Sequence, residues 1–101
     1  MIIIERQVQQ IYPDKWAELE SIDKKYSAVE ARLGFPPKKR YQVLTGSLDM
    51  NTLIVERQWP SLAVMEATYE KSMMDPEEQA LRMESNSIIK SNHWELYMPL
   101  P

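Results

Sequence analysis

The sequence predicts an α+β fold of the ferredoxin-like type, βαββαβ with a four-stranded antiparallel sheet. The chain has 101 residues, which suits one domain (1–101) with a modest core. Strand-like and helix-like segments follow one another in the order strand, helix, strand, strand, helix, strand. Residues 2–7 (IIIERQ) and 53–58 (LIVERQ) also resemble each other, as the two pseudo-symmetric halves of this fold would. The first and third strands should therefore be the adjacent central pair.

The first half of the chain predicts one strand and one long helix. Residues 2–9 are rich in Ile and Val and contain no Gly or Pro, which favours a strand. Pro13 and Asp14 suit a helix start, and Gly34 suits a left-handed C-terminal cap, so we expect a helix over 13–33. Its buried stripe at helical spacing is Trp16, Leu19, Ile22, Tyr26, Val29 and Leu33.

The middle of the chain predicts a β-hairpin. Residues 40–48 and 52–59 have strand composition, and Asp49, Met50 and Asn51 between them suit a tight turn. Immediately before the hairpin lies a short basic run, 38–40, which we expect to be a solvent-exposed loop.

The second half predicts a broken helix and a closing strand. Asp75 and Pro76 carry helix-start chemistry in the middle of a helical region, with Glu78 as the acid of a capping box. This pattern predicts helices over 61–73 and 76–87. Residues 93–98 alternate polar and apolar side chains and predict the last strand.

The composition excludes several classes of site. The chain has 12 basic and 15 acidic residues, a net charge of −3, one His and no Cys. Disulfides, thiolate metal sites and cysteine nucleophiles are therefore excluded, and one chain cannot form a His-rich metal site. We find no motif for a phosphate loop, a redox cofactor or nucleic-acid binding, and expect neither cofactor nor metal. No apolar run matches a signal peptide or a membrane span, so we expect a cytoplasmic protein with no membrane partner.

Two helices cover only one face of such a sheet, and strand alternation divides the side chains between the faces. The more apolar set should lie beneath the helices: Ile2, Ile4, Leu53 and Val55. The polar set should then lie on the open face: Glu5, Gln7, Glu56 and Gln58. Pairing two such faces would bury them and create a partly polar chamber.

In these features the sequence resembles the NIPSNAP proteins, which are dimeric α+β barrels. The similarity is clearest in the second half of the chain. It rests on the strand-to-helix junction, the helix break, the segment before the last strand and the C-terminus: Trp59, Ser61, Leu62, Ala63; Asp75, Pro76, Glu77, Gln79, Ala80; Ser87, Ile88, Ile89; Leu96, Pro99, Leu100.

The resemblance implies a homodimer formed through the sheets, with a ligand-sized cleft. Its wider superfamily includes cofactor-independent monooxygenases, haem-degrading enzymes, isomerases and members without an assigned activity. The haem-degrading branch uses an Asn on the first strand, which is absent here, and the single His lies on the last strand. No catalytic residue can be carried over from the family.

The residues themselves suggest acid–base chemistry in the cleft. Glu5 and Glu56 occupy equivalent places in the two similar segments, and two enclosed carboxylates raise the pKa of at least one. The alternative is that both are solvated or paired with Arg6 and Arg57. His93 is the third acid–base candidate because its ordinary pKa lies near neutrality. Its alternative is an exposed or hydrogen-bonded residue near the end of the sheet.

Four further residues are predicted to bind the ligand: Gln7, Gln58, Trp59 and Tyr97. We therefore expect a homodimer that binds an unknown small molecule between its sheets, with cofactor-independent oxygenation or isomerisation as the activity. The alternative is a non-catalytic binding or structural module whose polar face only builds the dimer interface.

Overall fold

The computed structural model describes residues 1–101. Its elements are β1 (Ile3–Ile11), α1 (Trp16–Leu33), β2 (Lys38–Gln42), β3 (Thr52–Trp59), α2 (Leu62–Met74), α3 (Pro76–Ser85) and β4 (Ile89–Tyr97). The four strands form one antiparallel sheet in the order β2-β3-β1-β4. The ferredoxin-like α+β fold is therefore confirmed, and so is the central pairing of the first and third strands. No helix is long and apolar enough to cross a membrane.

The main core lies between α1, α3 and one face of the sheet. The predicted stripe of α1 faces this core, with Leu19, Ile22 and Val29 buried. The helix ends as predicted, because Gly34 adopts a left-handed conformation with φ 89° that residues with a Cβ rarely adopt. The remaining buried members of this core are Ile11, Leu53, Val55, Leu81 and Ile88.

Three boundaries differ from the predicted ones by three residues or more. The helix starts at Trp16 because residues 12–15 form a turn, in which the amide of Lys15 donates to the carbonyl of Tyr12 at 2.9 Å. β2 ends at Gln42, and residues 43–51 form a loop in which Asp49 accepts hydrogen bonds from the amide of Asn51 and the side chain of Gln10. β4 starts earlier than predicted, at Ile89, which pairs with Ile11.

The predicted assignment of the sheet faces is half wrong. Leu53 and Val55 do lie beneath the helices, but their partners on β1 are Gln9 and Gln7. In an antiparallel pair, residues directly opposite each other share a face. The helix-side residues of β1 are therefore Ile3, Glu5, Gln7, Gln9 and Ile11, whereas Ile4, Arg6 and Val8 belong to the open face.

The basic run is also not a free loop. Lys38 and Arg40 lie in β2 on the helix side of the sheet. The ammonium of Lys38 lies 2.7 Å from Asp23 and 3.0 Å from Glu30, and the guanidinium of Arg40 lies 2.9 Å from Glu20. Lys38 and Arg40 therefore fasten the edge strand to α1, whereas Lys39 between them is exposed.

Candidate functional site

A cavity of about 650 Å³ lies between the helices and the sheet of a single chain. Its apolar wall comes from α1, the sheet and α2, with Ile22, Val55 and Met65 among the lining residues. Its rim carries exposed residues, including Met73 and Trp94. The ligand-sized space therefore lies within one protomer, whereas the sequence predicted it between two sheets.

Polar side chains of β1 and β4 form the floor of this cavity. The amides of Gln9 and Asn92 donate to Oε1 of Gln7 at 3.2 and 3.3 Å. Gln7 in turn donates to the hydroxyl of Tyr69 and to Oε2 of Glu5, both at 3.3 Å. The predicted ligand-binding residue Gln7 thus lines the cavity and connects its floor to a buried carboxylate.

Glu5 lies beside this floor, two residues before Gln7 on the same face of β1, and is 1% exposed. Its Oε2 accepts a short hydrogen bond from the hydroxyl of Tyr69, and its Oε1 accepts one from the indole N–H of Trp59 at 3.0 Å. Arg57 brings its Nη1 to 4.0 Å from the same carboxylate. Burial of this charge is therefore compensated by donors and a cation. Trp59 itself is 1% exposed and does not line the cavity, so it supports Glu5 through the indole hydrogen bond and does not form the cavity wall.

Arg57 supplies the positive charge of this buried cluster. Its Nη2 lies 2.6 Å from Glu30 of α1, and its Nε donates to the carbonyl of Pro36 at 3.3 Å. Its guanidinium also lies over the ring of Phe35, 5.0 Å from the centroid. The guanidinium is held from several sides and is not free to swing toward a ligand.

Tyr69 lines the cavity and also donates a hydrogen bond to Glu5. Its ring contacts the edges of Phe35 and Trp94, with centroids 5.1 and 4.9 Å apart. Burial, and then the neighbouring Glu5 carboxylate, raises the pKa of Tyr69 well above its usual range. The phenol therefore stays protonated and donates to Glu5. Sequence reasoning did not assign Tyr69 to the site, since helical spacing does not reveal a carboxylate partner on a distant strand.

A second polar group occupies another part of the lining, where α1 and α3 meet. It consists of Tyr26, Glu78, Arg82 and Ser85. The hydroxyl of Tyr26 donates to Oγ of Ser85 at 3.4 Å, and burial raises the pKa of this phenol. Arg82 donates to Oγ of Ser72 at 3.1 Å, and its Nε lies 3.6 Å from Oε1 of Glu78. Nothing in the sequence analysis had assigned these residues to a site.

The predicted pairing of Glu5 with Glu56 is wrong because the strands are antiparallel. The register places Glu5 opposite Arg57 and Arg6 opposite Glu56. The repeated Glu-Arg-Gln triplet therefore puts one acid–base pair on each face of the sheet, and the two carboxylates point to opposite sides. Glu56 and Gln58 instead line a separate depression of about 410 Å³ at the open face, next to Ile4 and Lys39.

His93 and Tyr97 also lie on the open face, opposite Val8 and Ile4 of β1. They do share one strand face with Glu95, as the sequence predicted. Nε2 of His93 lies 3.3 Å from Glu95, and the hydroxyl of Tyr97 donates to the same carboxylate. That hydroxyl, followed by Arg6, lowers the pKa of Glu95. Neither His93 nor Tyr97 lines the cavity of about 650 Å³.

No protein-family model and no curated protein matches this sequence. Solved structures, in contrast, match over almost the whole chain. A NIPSNAP family protein from Agrobacterium tumefaciens superposes with a TM-score of 0.83 at 22% identity, covering 99% of this chain and 94% of its own. A NIPSNAP-like domain protein from Burkholderia xenovorans gives 0.83 at 14% identity, covering 98% and 85%. This chain has a NIPSNAP-like fold.

The NIPSNAP-like resemblance inferred from the second half of the sequence is therefore confirmed for the fold, and it extends to the first half. The same fold is found in SnoaB, a cofactor-independent oxygenase from Streptomyces nogalater. That structure superposes with a TM-score of 0.68 at 14% identity, covering 97% of this chain and 92% of its own. At these identities the likeness establishes the architecture, so the function has to be argued from the cavity.

Proposed function

We propose that this NIPSNAP-like protein binds a small, largely apolar molecule in the cavity between its helices and its sheet. One observation carries this proposal. A single chain forms a half-open cavity of about 650 Å³ with apolar walls and two separate polar groups. Ligand pockets typically have roughly 300–1,000 Å³, mostly apolar walls and a few placed polar groups.

The contact between Tyr69 and Glu5 supports an acid–base activity on the bound molecule. Tyr69 lines the cavity, and its proton already points at the Glu5 carboxylate. A ligand proton would pass to the phenol oxygen while the phenol proton passes to Glu5. Return of a proton to a different ligand atom would complete an isomerisation. Oxygenation would in addition consume dioxygen, as a cofactor-independent oxygenase must.

A non-catalytic binding module is the rival proposal, and a different observation favours it. Glu5 accepts hydrogen bonds from Trp59, Tyr69 and Gln7, so every contact it makes also stabilises the fold. The two proposals share the cavity and differ in whether Tyr69 is needed for turnover or only for packing.

We further propose that the open face of the sheet pairs with a second copy of this chain. Its exposed surface carries apolar side chains that a monomer would leave in water, including Ile2, Tyr41 and Tyr97. Glu56, Gln58 and His93 would then belong to the interface and not to the ligand cavity. A cytoplasmic location stays a prediction from the sequence.

Native mass spectrometry of the freshly purified protein tests binding and assembly together. We expect a dimer in which each chain carries additional small-molecule mass. The protein should then be stripped under denaturing conditions, refolded and measured again as the control. A bare protein that also fails to bind apolar probes after refolding would contradict the binding proposal, and a clean monomer would contradict the dimer.

A further inference from the structure

Glu78 stands out among the residues that line the cavity. The residue is 7% exposed, yet its Oε2 has no hydrogen-bond partner. Its Oε1 lies 3.6 Å from Nε of Arg82, which is beyond hydrogen-bond distance. A buried carboxylate oxygen without a donor is unfavourable and rare in folded proteins. The cavity therefore contains an acceptor that the protein itself does not satisfy.

The local structure explains why this acceptor is free. Asp75 caps α3 by accepting the backbone amide of Glu78 at 3.0 Å. In a complete capping box, Glu78 would reach back to the amide of Asp75. That amide instead donates to the carbonyl of Ser72 in the last turn of α2, at 3.2 Å. Because α2 and α3 follow each other directly, the capping role predicted for Glu78 is already filled, and its side chain is left at the cavity.

The charges around the cavity favour a cationic donor. The basic side chains of its lining are engaged: Lys38 with Asp23 and Glu30, Arg57 with Glu30, and Arg82 with Ser72 and Glu78. Two further acids, Glu66 and Glu70 of α2, line the cavity without a cation of their own. The lining thus carries an excess of negative charge. Burial, opposed in part by Arg82, raises the pKa of Glu78, so Arg82 compensates the buried carboxylate only in part.

We propose that Glu78 is a ligand-binding residue that accepts a hydrogen bond from the protonated amine of an amphipathic, mostly apolar ligand. The inference rests on the proposed binding function and deepens it by naming the ligand class. The alkyl or aryl body of the ligand would lie against the apolar wall. Its ammonium would lie between Glu78 and the hydroxyl of Tyr26, where α1 and α3 meet.

Three probes of one chain length test this proposal: octylamine, octanol and octanoate. Trp94 lines the cavity and is half exposed, so its fluorescence reports occupancy, and calorimetry gives the affinities. Octylamine should bind the wild-type protein at least about ten-fold more tightly than either other probe. Glu78→Gln keeps the shape of the side chain and removes its charge, and it should reduce that preference to less than about three-fold.

The matched control is Glu77→Gln, which removes a charge from the residue before Glu78 in the same helix. Glu77 is exposed and lies outside the cavity. It should leave the preference for octylamine unchanged. Octanol or octanoate binding as tightly as octylamine to the wild-type protein would overturn the amine proposal while leaving the cavity proposal intact. If no probe binds, the proposed function itself fails. The comparison of the three probes on the wild-type protein tests the amine proposal even if Glu78→Gln does not fold.

Discussion

Two buried carboxylates of this molecule, Glu5 and Glu78, have opposite surroundings. Glu5 accepts hydrogen bonds from three side chains and lies near Arg57. Glu78 has an oxygen without a donor and one guanidinium at 3.6 Å. The folded chain therefore satisfies the first carboxylate and leaves the second incomplete. The comparison separates a carboxylate that stabilises the fold from one that is available to a ligand.

The largest effect should come from removing Glu5. Glu5→Ala leaves the indole of Trp59, the phenol of Tyr69 and the cation of Arg57 buried with fewer partners. We expect the free energy of unfolding to fall by about 3 kcal/mol in urea denaturation. The matched control is Glu56→Ala, the equivalent position of the repeated triplet on the open face. A loss as large as that for Glu5→Ala would contradict the assignment of the two faces.

Tyr69→Phe removes one of the three hydrogen-bond donors to Glu5 and keeps the aromatic ring. It therefore tests how much a single donor stabilises this buried carboxylate. We expect a loss of about 1.5 kcal/mol in the free energy of unfolding, because Glu5 loses its phenol partner. If the protein is an enzyme, turnover should disappear while apolar probes still bind. Tyr12→Phe, at an exposed position in the turn before α1 and outside the cavity, is the control and should change neither quantity. Full turnover in Tyr69→Phe would leave the binding module as the better description.

Glu78→Gln should act in the opposite direction from Glu5→Ala. The folded protein raises the pKa of Glu78, so it binds this proton more tightly than the unfolded chain does. The stability contributed by that proton is present below the ordinary pKa of glutamate and is lost as the pH rises through the folded value. At neutral pH, Glu78→Gln should therefore increase the free energy of unfolding by about 1 kcal/mol.

The pH dependence provides the check on Glu78. Thermal unfolding followed from pH 4 to pH 7 should show a smaller loss of stability with rising pH in Glu78→Gln than in the wild-type protein. Glu77→Gln, the exposed neighbour, should keep the wild-type slope. A variant Glu78→Gln that is less stable than the wild-type protein at neutral pH would mean that Arg82 satisfies the carboxylate after all.

The smallest effect is expected at His93, which belongs to neither buried cluster. Its side chain is 71% exposed and contacts only the carboxylate of Glu95 among the charged groups. His93→Gln should leave the binding of apolar probes unchanged. Weakened probe binding would mean that the open face takes part in the ligand site.

Local patterns predicted most of the architecture correctly. The stripe from Trp16 to Leu33, the cap at Gly34 and the break at Asp75 are set by spacing and backbone preference within a few residues. The same is true of the alternation along the strands, which correctly put His93, Glu95 and Tyr97 on one face. The sequence also predicted both ends of the third strand, which the structure places at Thr52–Trp59.

The candidate site could be predicted only in part. Glu5, Gln7 and Trp59 do lie at the cavity floor or next to it. Their partner Tyr69, however, lies on a helix, 64 residues from Glu5 in the chain. No local sequence pattern indicates such a contact. Glu78 is left without a capping role because of a single backbone hydrogen bond, from the amide of Asp75 to the carbonyl of Ser72. Sequence patterns do not specify that bond.

The sequence by itself determined which segments become strands and helices, because those preferences act between residues a few positions apart. The tertiary structure decided which side of each strand meets the helices. That choice depends on the antiparallel register of β1 and β3, which turns a repeated Glu-Arg-Gln triplet into two crossed pairs on opposite faces. A shift of one residue would exchange the faces, and only the packing of the whole sheet against α1, α2 and α3 selects between them.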